Sequence, residues 1–216
     1  MKLLLKHVFS KFALVMLATL YFSGIASAKD LVIMTSLPSM EFPFFVHMQN
    51  MLDQEAKSIG GIKILSADGQ NRVPKQTADV ESAIVRGVDG IIISPIDVNA
   101  MAPALQQAID AGIPVVTVDR YVGGVPGIYA HVGADNVTGG EAQARLIMKQ
   151  FPNGATIVNL QGQPGAPPAI DRNKGLHNIL DGKSKYKIVA EQTANWSRDQ
   201  GMSVIENILV GLGSPP

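Results

Sequence analysis

The chain is predicted to fold as an α/β protein of two lobes, each built on a doubly wound parallel sheet, with the second lobe incomplete because its copy of the pattern lacks a closing strand. Three observations predict it. From Leu31 onward, short β-branched apolar runs alternate with longer segments whose apolar residues recur at helical spacing. The strand-helix order starts twice, with the glycine-rich residues 121–127 between the two copies as a hinge. The run Ile113-Pro114-Val115-Val116-Thr117-Val118 is apolar on both faces and stops at Asp119-Arg120, the pattern of a strand covered by helices on each side that delivers two charges to a cleft. In such sheets ligands bind beyond the carboxyl ends of the strands.

Taken in order, residues 31–35 read as a first strand. Residues 44–59 read as a helix with Phe45, Met48, Met51, Leu52, Ala56 and Ile59 on its apolar face, halted by Gly60-Gly61. Residues 62–65 return as a strand and residues 73–86 as a helix with Val80, Ala83 and Ile84 inward. Residues 90–94 form a strand with no polar break, and residues 98–111 a helix ending at Gly112. The strand that ends at Asp119 closes the first half.

In the second half residues 128–132 read as a strand. A helix then starts at Asp135-Asn136, with Thr138-x-x-Glu141 as a capping-box pair and Ala144, Ile147 and Met148 inward. Residues 155–160 are a strand, 169–180 a helix, 186–192 a strand and 197–212 a helix stopped by Gly211, Gly213 and Pro215-Pro216. This divides the chain into residues 1–28, a first lobe at 29–122 and a partial second lobe at 123–216.

Residues 1–28 have the layout of a cleaved secretory signal: Lys2, Lys6 and Lys11, an apolar core of 14 residues from Phe12, then Ala26-Ser27-Ala28. That core is shorter than the ~20 residues a spanning helix needs. Its removal takes three lysines and no acid, leaving 15 basic against 18 acidic residues, a net charge of −3 that disfavours nucleic acid as a partner. The chain has no cysteine, so it relies on its core rather than disulfides and has no thiol for lipid attachment. The address is the periplasm, and the protein is expected to be a free monomer.

Signatures of catalysis and of cofactor binding fail one by one. His7, His47, His131 and His177 lack metal-ligand spacing, and there is no G-x-S-x-G elbow, no Walker loop and no G-x-G-x-x-G after the first strand. No enzyme, cofactor or metal is expected. What remains suits the grip of a polyol. Asp119 is placed to accept hydrogen bonds from two hydroxyls, Arg120 and Arg172 to donate in planar forks, and Phe44, Phe45 and Trp196 to cover the C–H faces of a ring. Each also has a plain reading. Asp119-Arg120 closes a turn before Gly123-Gly124, Phe45 is core, Trp196 is a lone surface aromatic, and Arg172 is a helix-face charge paired with Asp171.

Five segments taken together, Pro43-Phe44-Phe45, residues 90–97, residues 113–120, residues 132–140 and Asp171-Arg172-x-x-Gly175, resemble the periplasmic ribose-binding protein family, the type I sugar-binding components of ABC importers. The resemblance runs from Lys29 to the end. It implies that Phe44 and Phe45 sandwich one sugar face, that Asp119 and Arg120 bind hydroxyls, that Arg172 reaches in from the second lobe, and that Trp196 stands at an aromatic position of the site. It also implies a monosaccharide ligand and an ABC permease as partner. The family commonly has Asn before Pro-Phe-Phe where this chain has Phe42, which points away from ribose itself. It further implies a closing strand for the second lobe, a return of the chain to the first lobe that is incomplete here, and an Asn, an Asp and a Gln for the ligand beyond Pro216, so that this stretch alone is expected to bind weakly or not at all. A periplasmic sensor module presenting a sugar or signal molecule to a chemoreceptor or kinase has the same pattern. A sugar-responsive repressor core is opposed by the leader and by the lack of an N-terminal helix-turn-helix.

Overall fold

The computed structural model describes residues 29–213. The expected cleavage after Ala28 and the closing prolines lie outside them. The strands are β1 (Leu31–Leu37), β2 (Ile62–Asp68), β3 (Gly90–Ile93), β4 (Val115–Val118), β5 (Ala130–Val132), β6 (Ala155–Gln161) and β7 (Tyr186–Thr193). The helices are α1 (Pro43–Ile59), α2 (Val73–Arg86), α3 (Ala102–Asp110), α4 (Asn136–Gln150), α5 (Pro167–Leu180) and α6 (Arg198–Leu212).

Five strands form one parallel sheet in the order β2-β1-β3-β4-β5, and β6 and β7 pair in parallel as a second. Side chains alternate along a strand, so Met34, Ile91, Ile93 and Val115 share one face of the first sheet and bury Val80 and Ala83 of α2 with Leu105 and Ala108 of α3. Thr35 points the other way, where its hydroxyl donates to Gln49 Oε1 of α1 at 2.8 Å. The first sheet is thus covered on both faces. In the second lobe Ala144 of α4, Leu176 and Leu180 of α5, and Ile157 and Ile188 of the strands make a smaller core.

The crossing of α4 over α5 explains two glycines of the 132–140 and 171–175 segments. A Cβ on Gly140 would lie 2.0 Å from the Arg172 carbonyl oxygen, and one on Gly175 would lie 2.0 Å from that of Val137. Only glycine lets the two backbones approach this closely.

Three expectations need correction. Residues 130–132 do not open the second lobe. They pair with β4, aligning Val116 with Ala130 and Val118 with Val132, so the chain leaves the first sheet after Val132 and not at 122/123. A strand of three residues has too few side chains to announce which sheet it joins. The stretch 121–127 is accordingly no hinge between the sheets, and Gly123 N donates to Val98 O at 2.7 Å within the first lobe. The cap of α4 is Asp135, whose Oδ1 accepts from Thr138 N at 2.9 Å and whose Oδ2 accepts from the Thr138 hydroxyl at 2.7 Å, rather than a Thr138–Glu141 box. Finally, Gly211 lies inside α6, which stops at Gly213 in the left-handed conformation.

Candidate ligand-binding cleft

All six residues singled out from the sequence line one cleft of about 310 Å³, together with Phe42, Pro43 and Pro168. Phe44 and Phe45 come from the first turn of α1, just past the end of β1. Asp119 and Arg120 follow β4, Arg172 sits in α5, and Trp196 lies between β7 and α6. The cleft therefore opens at the carboxyl ends of strands from both sheets.

Arg120 is its deepest charge. The side chain is 1% exposed, and its guanidinium carbon lies over the rings of Phe45 and Trp196, 5.4 and 5.0 Å from their centroids. Nη1 donates to Ile96 O at 3.3 Å and to Gln163 Oε1 at 3.2 Å, and Asp119 Oδ2 is 3.9 Å from Nε. Among the described residues Nε itself has no hydrogen-bond partner. Burial lowers the pKa of this guanidinium to about 10, against the opposing pull of Asp119, so it stays charged at neutral pH. A buried cation with an idle donor beside aromatic faces suits a ligand that offers a hydroxyl oxygen.

Asp119 has a positive φ of 61°, a left-handed backbone that ends the extended course of β4 at Val118. Burial raises its pKa above the ordinary value, although Arg120, Arg172 and His131 all pull it down. Hydroxyl donors from a ligand would replace the solvation this carboxylate has lost. Trp196 (φ 54°) and Asn195 (φ 51°) are likewise left-handed. Their turn is held by Thr193 Oγ1, which accepts from Asn195 N at 3.2 Å and donates to Gly162 O at 2.7 Å. Non-glycine residues in this region cost energy and concentrate at functional sites.

Arg172 does not pair with Asp171. Its Nε donates to Asn136 Oδ1 at 2.8 Å, while Asp171 Oδ1 accepts from the Tyr121 hydroxyl at 3.2 Å across the two lobes. Phe45 fulfils both of its readings, buried to 4% exposure yet on the wall of the cleft, whereas Phe44 is 56% exposed at its mouth. Trp196 packs against Gly162, where a Cβ would come within 2.2 Å of its ring.

Sequence reasoning missed Asn71, Asn136 and Gln163. Gln163 Nε2 donates to Asn71 Oδ1 at 2.9 Å, joining a loop after β6 to the loop after β2. No local pattern marks such a pair, 92 positions apart. Asn136 was in view within residues 132–140, but an amide that holds an arginine at the start of a helix reads like any other first-turn residue.

The chain matches the periplasmic binding protein domain family over residues 33–213. It is 39% identical over 191 residues to the ribose import binding protein of Bacillus subtilis, covering 88% of this chain and 61% of the relative. Among solved structures it is similar to the Caulobacter myo-inositol binding protein bound to myo-inositol, with a TM-score of 0.83, 37% identity, and 90% and 66% of the two chains covered. It is also similar to the fructose binding periplasmic domain of a hybrid two-component system, with a TM-score of 0.79, 26% identity, and 83% and 59% covered. The chain thus spans about three-fifths to two-thirds of the length of these relatives.

Proposed function

The chain belongs to the periplasmic binding protein family, and on that premise we propose that it binds a monosaccharide or a cyclic polyol between its two lobes and serves as the substrate-binding component of an ABC sugar importer. One observation carries the reading. A buried cation, a half-buried carboxylate and aromatic faces from both lobes converge on a cleft whose volume falls at the lower end of the roughly 300–1,000 Å³ typical of small-molecule sites.

In this reading Asp119 accepts from two neighbouring hydroxyls, and Arg120 and Arg172 donate to ring or hydroxyl oxygens. Phe44, Phe45 and Trp196 cover the apolar faces of the ring. A ligand that bridges residues of both lobes favours the closed arrangement over the open one, and a permease that recognises the closed form turns occupancy into transport. The ribose and myo-inositol relatives support a neutral polyhydroxylated ligand. Phe42, standing at the cleft wall with no polar group to offer, supports a ligand other than ribose.

A second reading, a sensor module that presents its ligand to a kinase, is favoured by the similarity to the periplasmic domain of the two-component system. Both share the cleft. A thermal-shift screen of pentoses, hexoses and inositols tests it, because a ligand at 100 times its dissociation constant stabilises the folded state by about 2.7 kcal/mol. No shift with any polyol would count against both readings. Pull-down with the permease or with the kinase from neighbouring genes separates one from the other.

A further inference from the structure

We infer that Gln163 is a positioning residue that latches the two lobes together and, in doing so, sets the orientation of the Arg120 guanidinium in the cleft. Its side chain reaches from the loop after β6 to two partners on the first lobe. Oε1 accepts from Arg120 Nη1 at 3.2 Å, and Nε2 donates to Asn71 Oδ1 at 2.9 Å. Asn71 is itself held in place, with a left-handed φ of 56° and its N–H donating to Pro38 O at 2.7 Å.

Other polar links cross between the lobes. Val98 N donates to Gly165 O at 3.0 Å, and the Tyr121 hydroxyl donates to Asp171. Neither touches a group on the floor of the cleft. Gln163 does, and it uses both ends of its amide. Among the described residues Arg120 has one further hydrogen bond, to Ile96 O, and an ion pair with Asp119 at 3.9 Å, both within the first lobe, so the Gln163 bond is the hydrogen bond that ties guanidinium orientation to closure. When the lobes part, Arg120 loses this acceptor and the Trp196 face together, since both belong to the second lobe. Ligand grip and closure thereby become one event. The latch deepens the proposed binding function and rests on that reading for its purpose, though not for its existence.

The test exploits the absence of cysteine. Spin labels on Val85→Cys in α2 and Val210→Cys in α6, 87% and 83% exposed, report the separation of the lobes by pulsed electron paramagnetic resonance without any sugar. Gln163→Leu keeps most of the bulk and removes both hydrogen bonds. It is expected to lower the ratio of closed to open molecules by roughly tenfold or more, the equivalent of one hydrogen bond to a charged group. Gln163→Glu preserves an acceptor for Arg120 and is expected to restore the closed population, with Asn71 turning its amide to donate. Asn71→Ala, which removes only the neutral bond, should show a smaller loss.

An unchanged distance distribution in Gln163→Leu overturns the latch. So does a Gln163→Glu that opens as far as Gln163→Leu, because the side chain would then act only by packing. If the variants shift the distances but no pentose, hexose or inositol binds the parent chain, the latch stands and the binding function fails. If sugars bind and the distances do not respond to Gln163, the reverse holds.

Discussion

The Arg120 guanidinium lies 5.0 Å from the centre of the Trp196 ring, although Arg120 follows a strand of the first sheet and Trp196 follows a strand of the second. A cation taken out of water needs compensation, and Arg120 obtains part of it from an aromatic face carried by the other lobe. The floor of the cleft is therefore built by both lobes jointly. This gives the residues around it stabilities and pH dependences that can be measured apart from any ligand.

Asp119 bears the cost of that burial. Its raised pKa means that the stability linked to its protonation is fully present below the ordinary value of 3.8 and is lost as pH rises through the higher folded value. Asp119→Asn, which keeps the shape and tolerates the left-handed backbone, is expected to raise the melting temperature at pH 7. The gain should shrink toward zero below pH 3.8. The same variant should bind ligand roughly 10- to 150-fold more weakly, the loss of a hydrogen bond to a charged group. Paired melting curves across pH and a ligand titration check both. A variant less stable than the parent at pH 7 would make Asp119 a structural residue.

Gly140 and Gly175 hold α4 against α5. Gly175→Ala places a methyl group against the Val137 carbonyl, and Gly140→Ala places one against that of Arg172. Each should destabilise the second lobe by roughly 1–3 kcal/mol, as overpacking does where neither backbone can give way. Urea denaturation followed by circular dichroism reads the effect. Gly211→Ala, with open space around its Cβ inside α6, is the control and should be neutral or slightly stabilising.

His177 ties α5 to β7 through Glu191 Oε1 at 3.0 Å and also pairs with Asp181 Oδ1, at the end of its own helix, at 2.8 Å; these two partners raise its pKa above 6.5, with Asp181 the larger influence. Its contribution is fully present below pH 6.5 and is lost as pH rises through the elevated folded value. Melting temperatures of the parent and of His177→Gln should therefore differ at pH 5.5 and converge by pH 8.5. The site is part-exposed, so the difference should also fall in high salt. A gap that widens with pH would contradict the assignment.

Much of this arrangement was legible in the sequence, for physical reasons that can be named. Asp119, Arg120, Phe44 and Trp196 could be gathered because a parallel sheet sends the carboxyl ends of its strands to one side, so strand order alone converts positions far apart in sequence into neighbours. The helices were legible from their apolar spacing, and Ser197 caps α6 as the last helix was expected to begin. What could not be read depended on pairwise geometry. The three residues of β5 fit either sheet until Tyr129 N is seen donating to Val115 O at 2.8 Å. The choice of Asp135 over Thr138 as the cap turns on a side-chain rotamer. Gln163 and Asn71 meet only because two loops from different sheets happen to face each other.

Trp196 is the single tryptophan of the chain and lies on the wall of the cleft, so its emission reports directly on occupancy. The most direct test titrates the chain with ribose, other pentoses, hexoses and myo-inositol while following that emission, with Asp119→Ala titrated in parallel. Weak but saturable binding of at least one of these polyols is expected, at one site per chain, and Asp119→Ala should abolish it or shift it to much higher concentration. Flat titrations with the whole panel, or a saturable change that survives intact in Asp119→Ala, would contradict this expectation.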